Sequence, residues 1–351
     1  MNILVVVPKL SGKGGTETVL KSWSRNLTKF NNLKVTYVLP EGSKDKEWLS
    51  KIDNIILNSE QDNRLKKNIS SFLFLKKIIN NNYDIIICLS SKMINFTNYF
   101  KKKYNYNFKI VSWIHFSLSN KKVTNMKWVK YADFHLAISN GIKEQLENYK
   151  IKKERIFVIG NPISRKKENI SQNCMENLKL IYIGRVFLKG QKNLEQILRV
   201  FPKLNFDWEL HIYGDGPDLA EMKNLCRTLN MFDNIFFHGW LNEPFNNIED
   251  ADYVVLPSLY EGFPMVLLEA LSYGIPCISS NCPTGPQDII NNENGFLFKT
   301  NDDSSFLEAL IKAYRNKSNY EKDKIKCSIS KFYEDQYFNL VNKIFLKIGE
   351  K

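Results

Sequence analysis

The sequence predicts an α/β protein built from two doubly wound parallel-sheet domains, and three observations carry that expectation. Apolar runs of strand length alternate with helical patterns. The alternation stops at a polar stretch near residue 165 and then restarts. At 351 residues the chain exceeds what one hydrophobic core usually supports. Hydrophobic content of 43% with 25% charged residues is that of a globular protein.

In the first half, strand-like runs fall at 3–7, 35–39, 84–89, 110–114 and 134–138, separated by helical patterns at 16–29, 65–80 and 141–149. VIGNPIS at 158–164 leads into the polar RKKENISQNCMENL, and KLIYIGR opens the second series. Its strands are expected at 179–183, 208–213, 234–237, 252–257 and 275–279, and its helices near 191–201, 217–230, 264–273 and 303–315. The expected domains are 1–165 and 166–320, followed by an aromatic-rich helical segment at 321–351. Open α/β sheets bind ligands beyond the carboxyl ends of their strands, so two such domains predict a central cleft.

The most informative stretch is LPSLYEGFPMVLLEALSYGIPCISSNCPTGPQDII, residues 256–290, in which a strand runs into a glycine-proline turn, a helix and a second strand. Gly262 and Pro264 stand where loop becomes helix, so the first backbone N–H groups of that helix are free to meet an anion. Two carboxylates bracket the turn. Glu261 would repel phosphate unless it binds something beyond it, such as sugar hydroxyls, and Glu269, one turn in, is placed to accept from a ribose. Near the N-terminus, Gly12, Gly14 and Gly15 follow the first strand and precede a helix with Thr16 as its expected cap and Glu17 in its first turn; the spacing is not G-x-G-x-x-G. His115 stands at a strand's carboxyl edge, with Ser117 beside it. YGDGPD at 213–218 reads as a glycine turn, with Asp215 capping the next helix and Pro217 at its first position.

EGFPMVLLEA resembles the E-x7-E element of retaining glycosyltransferases of the GT-B fold, family 4 type, and NCPTGPQDII resembles more narrowly the lipopolysaccharide 1,6-galactosyltransferase group. The likeness extends to GKGGTETV, SWIHFSL (112–118), YIGRVFLKGQKNL and YGDGPD, and so covers nearly the whole chain. It implies two Rossmann-like domains facing a cleft, an acceptor-side first domain, a nucleotide-sugar-binding second domain, and a terminal segment that packs back on the first. It also implies the site. Glu261 would hold donor-sugar hydroxyls, and Arg185 with Lys192 the diphosphate; His115 would contact the sugar near its anomeric carbon. Gly14, Gly15, Gly214, Gly239, Gly262, Phe263, Pro264, Met265 and Glu269 would line the donor, with His238 and Trp240 secondary candidates at the nucleobase. The family lysine follows its arginine by about five residues; here Lys189 follows by four and Lys192 by seven, and QKN favours Lys192.

The reaction so implied moves a hexose, galactose favoured, from a UDP-sugar to a lipid-anchored saccharide in lipopolysaccharide or surface-glycan synthesis. Asp250 and Asp252, like Asp302 and Asp303, sit near expected helix ends and read as caps rather than as the D-x-D arrangement that holds a divalent metal in the other major glycosyltransferase fold, so transfer without a metal or cofactor is expected. Six cysteines without C-x-x-C spacing read as reduced thiols. No apolar run approaches the ~18 residues of a membrane span, and the chain opens on a strand, so a cytoplasmic protein is expected.

Charge is uneven. Residues 1–165 hold 29 Lys and Arg against 12 Asp and Glu, whereas residues 166–351 hold 21 against 25. The clusters Lys66/Lys67, Lys76/Lys77, Lys101–Lys103, Lys121/Lys122 and Lys127/Lys130 read as a solvated face, or as a surface for anionic lipid or a phosphorylated glycolipid at the inner leaflet, where each basic residue contributes ~1 kcal/mol. Nucleic acid would attract the same face but leaves Glu261, Glu269 and Arg185 without a role, and is not expected. The alternatives are a capsule or undecaprenyl-diphosphate oligosaccharide transferase using another UDP-hexose, and a non-catalytic basic protein binding nucleic acid or a nucleotide sugar.

Overall fold

The computed structural model describes residues 1–12, 14–43, 45–60, 63–118 and 124–350; Lys121/Lys122 of the basic clusters lie outside the described residues. It divides into two compact units, Met1–Pro162 with Glu334–Lys351, and Ile163–Tyr333. The break falls three residues before the expected 165/166 boundary, and the segment expected as 321–351 is shared between the units.

The first unit holds strands β1 (Asn2–Val6), β2 (Lys34–Leu39), β3 (Ile55–Leu57), β4 (Ile85–Cys88), β5 (Lys109–Ser112), β6 (Phe134–Ala137) and β7 (Ile156–Val158). They form one parallel sheet in the order β3-β2-β1-β4-β5-β6-β7. Ile3 pairs in register with Val35 on one side and Ile85 on the other. A sheet covered on both faces needs apolar side chains at consecutive positions, which is why its central strands read ILVV and IIIC. The crossovers carry α1 (Gly15–Leu27), α2 (Arg64–Ile78), α3 (Ser91–Tyr104), α4 (Met126–Val129) and α5 (Asn140–Asn148). Asn63, Ser90, Asn125 and Ser139 cap the last four with side-chain oxygens.

The second unit holds β8 (Leu178–Ile183), β9 (Trp208–Tyr213), β10 (Ile235–Gly239), β11 (Tyr253–Leu256), β12 (Cys277–Ser280) and β13 (Gly295–Phe298), parallel in the order β10-β9-β8-β11-β12-β13. Its helices are α6 (Glu195–Val200), α7 (Leu219–Thr228), α8 (Met265–Ser272), α9 (Pro286–Ile289), α10 (Asp303–Asn316) and α11 (Lys322–Ser328).

The last helix, α12 (Glu334–Gly349), belongs to the first unit. Trp23 of α1 explains why. Fully buried, it stacks on Trp113 at 3.7 Å between ring centroids, donates from Nε1 to the Tyr337 hydroxyl at 3.2 Å, and meets the edges of Phe338 and Phe345. Ser22 and Arg25 of α1 both reach the Glu334 carboxylate.

Several local expectations are corrected. Gly14, not Thr16, is the N-cap of α1, and Thr16 lies one residue inside the helix. α7 begins at Leu219, so Pro217 precedes it; the Asp215 carboxylate accepts from the adjacent Gly216 N–H and caps nothing. Of the four aspartates read as caps, Asp302 is one, accepting from Ser305 N. Asp303 pairs with Arg199, Asp250 with Lys179, and buried Asp252 accepts from Lys179 N.

Candidate functional site

In the second unit the strand order reverses between β8 and β11, and a doubly wound sheet opens at such a switch point beyond its carboxyl ends. β8 delivers Gly184 and Arg185 there, and β11 delivers Pro257 to Glu261. The loop after β8 is held through its main-chain atoms. The Tyr182 hydroxyl donates to Arg185 O at 2.8 Å, Gly184 N donates to Tyr213 O at 3.0 Å, and Val186 N donates to Asp215 O at 2.9 Å.

The last two bonds explain YGDGPD. A Cβ on Gly214 would stand 1.8 Å from Gly184 O, and one on Gly216 would stand 2.2 Å from Val186 O. Two glycines therefore let the β9 loop lie directly against the loop that carries Arg185. Asp218 completes the brace by accepting from Leu188 N at 2.9 Å.

Lys192 reaches Glu261. Its Nζ is 2.7 Å from Glu261 Oε1, with only 17% of the lysine side chain exposed. Lys189, in contrast, is 79% exposed and faces Glu195 at 3.9 Å. The geometry behind this is a second zipper of loops. Leu259 N donates to Gln191 O at 2.8 Å, Gln191 Nε2 to Tyr260 O at 3.3 Å, and buried Asn193, at φ +52°, donates from Nδ2 to Pro257 O at 3.3 Å. The left-handed turn at Asn193 also delays the start of the helix expected over 191–201, so α6 begins at Glu195. An ammonium has three protons and Glu261 takes one, leaving donors for an anion.

Glu261 is 8% exposed and opens the turn Glu261–Gly262–Phe263–Pro264 into α8. Pro264 is the N-cap and offers no capping side chain, and the first turn holds no acidic residue. Phe263 and Met265 are buried and anchor the turn. From β12 comes a support: Thr284 Oγ1 donates to Glu261 O, and Gly285, at φ +96°, lies so close that a Cβ there would stand 2.6 Å from Pro264 Cδ. Ser280 Oγ likewise donates to Ser258 O. Glu269, one turn into α8, is half-buried; burial pushes its carboxyl up to about 7, opposed by the charge of Lys166.

At the edge of the same sheet, Gly239 ends β10 at φ +72° with open space where a side chain would stand. His238 is exposed and stacks on Tyr213 at 4.3 Å, its Nε2 2.9 Å from His211 Nδ1; Trp240 is exposed and not part of the core.

In the first unit, His115 follows β5 by three residues and is 8% exposed. Burial pushes its imidazole down to about 3, so the ring is neutral at physiological pH, and its Nε2 has no partner among the described residues. The Trp113 ring, 4.4 Å away, fixes it from one side. Gln145 of α5 fixes the following turn, accepting from Leu118 N at 2.8 Å and donating to Ser117 Oγ at 3.1 Å. Gly14 and Gly15 mark the start of α1, and buried Glu17 folds back to accept from Gly12 N at 2.6 Å. A Cβ on Gly14 would meet the end of that carboxylate at 2.8 Å.

Within the second unit the structure thus gathers Arg185, Lys192, Glu261, Gly262 and the start of α8 around one sheet edge. Sequence reasoning missed Thr284, Gly285, Asn193 and Ser280, which bind no charge and act through main chain. Their only signal is the polar, glycine-bearing sequence that follows each strand's carboxyl end. No group of three or more His, Cys, Asp or Glu side chains among the described residues is arranged to hold a metal ion.

Residues 163–327 match the family model of glycosyl transferases group 1, and residues 13–167 match that of glycosyltransferase family 4. The chain is 33% identical to a lipopolysaccharide 1,6-galactosyltransferase of Escherichia coli, covering 99% of this chain and 98% of that one. It is 34% identical to the protein of the same description in Salmonella typhimurium, covering 99% of each. Among solved structures, the apo form of the lipopolysaccharide outer core galactosyltransferase WaaB matches with a TM-score of 0.88 at 32% identity, covering 99% of this chain and 100% of that one.

Proposed function

The chain belongs to the group 1 and family 4 glycosyltransferases of the GT-B fold, and on that premise we propose that it transfers galactose from UDP-galactose to a lipopolysaccharide-core saccharide, retaining anomeric configuration and using no metal. The observation that carries this reading is full-length identity of 33% and 34% to two galactosyltransferases of that class. The site geometry supplies its chemistry.

In a retaining transfer without a protein nucleophile, the bond from the anomeric carbon to the diphosphate oxygen breaks while the acceptor hydroxyl bonds to the same face. The hydroxyl proton passes to a diphosphate oxygen, and UDP leaves. Negative charge grows on the leaving diphosphate, and fixed positive groups aimed at it stabilise the transition state; removing one such donor typically costs about 10²–10³ in rate. Lys192, Arg185 and the uncapped N-terminus of α8 supply those groups from one braced sheet edge. Glu261 holds Lys192 on one oxygen and offers the other to sugar hydroxyls. Glu269 takes the ribose. The parts given to Gly14, Gly15, Gly239 and His115 rest on the family likeness; a neutral, buried His115 whose Nε2 has no partner among the described residues suits contact with an uncharged sugar.

A lipopolysaccharide acceptor is lipid-anchored, which would place the enzyme at the cytoplasmic face of the inner membrane. No helix among the described residues is long and apolar enough to cross a membrane, so the attachment is read as peripheral, through the basic first unit. The test is transfer by the purified chain from UDP-, GDP- and ADP-sugars to core oligosaccharides, with and without EDTA, and NMR assignment of the product anomer. The expected result is an α-linked product from UDP-galactose, unchanged by EDTA. Exclusive use of another donor refutes the galactose assignment, a β-linked product refutes retention, and loss in EDTA refutes metal independence. Transfer only to polyprenyl-linked sugars would move the enzyme to undecaprenyl-diphosphate oligosaccharides.

A further inference from the structure

Helix α2 is apolar on two opposite faces. Ser71, Leu75 and Ile79, spaced four apart from the helix into its C-cap, are buried against the first unit. Leu65, Ile69 and Leu73 recur at the same spacing but are 73%, 61% and 51% exposed. At 100° per residue the two rows lie roughly 160° apart at matching heights, so the second row is an outward stripe about 12 Å long rather than the fringe of the core. Lys76 falls on the same stripe, and Lys66 and Lys77 flank it, all exposed.

The stripe continues onto α3. Phe72 lies 5.4 Å from the exposed ring of Tyr99, and Lys103 stands over Tyr99 at 5.5 Å. Tyr104 and Tyr131, also exposed, carry the Nζ of Lys103 and Lys102 over their rings. Protruding aliphatic chains, amphipathic tyrosines and a ring of lysines are the composition of a surface that lies in a lipid interface, where aliphatic chains enter the acyl boundary and lysines meet anionic headgroups.

We infer that the outer face of α2, with the adjoining tyrosines of α3, is a monotopic docking surface for an anionic phospholipid bilayer. Charge complementarity selects this occupant, since the stripe sits on the unit formed by Met1–Pro162 and Glu334–Lys351, which carries 31 basic against 15 acidic side chains. The placement also serves the reaction. Asn68 of α2 accepts from Lys92 at 3.2 Å, and Lys92 pairs with Glu41 just beyond β2, so the N-terminal half of α2 lies beside the carboxyl edge of its own sheet. A helix docked in the headgroups holds that edge beside lipid-anchored saccharide. The inference names the surface for the membrane attachment proposed above and rests on that reading only for its purpose.

The test is co-sedimentation of the full chain with vesicles of phosphatidylethanolamine and phosphatidylglycerol, beside vesicles of phosphatidylcholine, at low and high salt. Leu65→Ser/Ile69→Ser/Leu73→Ser is expected to weaken binding to the anionic vesicles by about a thousandfold, at about tenfold per side chain withdrawn from the interface. The apolar triple Leu65→Met/Ile69→Leu/Leu73→Met should bind as wild type does. Lys76→Ser/Lys77→Ser should lose roughly thirtyfold at low salt and little at high salt. All these positions are exposed, and thermal melting checks that the variants stay folded. The inference is overturned if the serine triple binds as tightly as wild type, if wild type prefers neutral vesicles or binds none, or if light scattering shows the stripe joining two copies of the chain. Transfer to a water-soluble core oligosaccharide separates the two readings: the serine triple should retain it. Absence of transfer in every form, with vesicle binding as expected, would sink the galactosyl reading and leave this surface standing.

Discussion

Gly214→Ala is expected to damage the second unit out of proportion to one methyl group. The new Cβ would stand 1.8 Å from Gly184 O, and that atom is main chain, so no rotamer change can relieve the overlap. Gly184 must move by more than an ångström, which breaks Gly184 N to Tyr213 O at 3.0 Å and strains Val186 N to Asp215 O at 2.9 Å. Two hydrogen bonds at about 1 kcal/mol each, with about 1–3 kcal/mol of overpacking strain, predict a loss of about 3–5 kcal/mol. For a unit of this size that is a fall in melting temperature of roughly 10 °C. Arg185 moves with the loop, and a misplacement on this scale costs about a hundredfold in turnover. Gly190→Asn is the control: at φ +74° with open space around it, an asparagine should fit within about 1 kcal/mol. Calorimetry and donor turnover read both effects. A Gly214→Ala protein that melts within about 2 °C of wild type and keeps its turnover would refute the argument that these loops are packed glycine on backbone.

Glu269 gives a pH dependence. Its carboxyl, raised from 4.5 to about 7, keeps a proton in the folded chain that the unfolded chain has lost; its stabilising contribution is complete below pH 4.5 and lost as pH rises through 7, at most about 3 kcal/mol. Glu269→Gln should flatten denaturant-measured stability between pH 5 and about 8, and because only the carboxylate accepts from both ribose hydroxyls, UDP affinity should rise from about pH 6 to 8 in wild type but not in the variant; parallel profiles would contradict this. Trp23→Ala should cost about 3–5 kcal/mol by emptying the site between α1, Trp113 and α12. Truncation after Tyr333 should destabilise the first unit similarly, and a truncated chain melting like wild type would show that α12 adds nothing.

The central strands were legible because burial on both faces forces consecutive apolar residues, as in Ile85–Cys88 and Tyr253–Leu256. β3, β7 and β13 were missed: each has three or four residues at or near a sheet edge, too few to show a period. α3 was missed because its buried Met93, Ile94, Thr97 and Phe100 are diluted by asparagine and lysine, and only its cap and crossover position reveal it. At the site, charged residues announced themselves by chemistry. What holds them did not: Thr284 works through a carbonyl, Asn193 through a left-handed turn, and Gly214 through the absence of a side chain, and none of these has a periodic signature.

We propose that the Lys192–Glu261 pair holds the donor, the lysine by its diphosphate and the glutamate by its sugar. Calorimetric titration of UDP and UDP-galactose into wild type, Lys192→Met and Glu261→Gln tests it directly. Lys192→Met should weaken both ligands about 10- to 100-fold, the worth of a charge-assisted hydrogen bond. Glu261→Gln should leave UDP nearly unchanged while erasing the extra affinity that galactose confers. Equal losses for both ligands in Glu261→Gln, or wild-type binding in Lys192→Met, would contradict it.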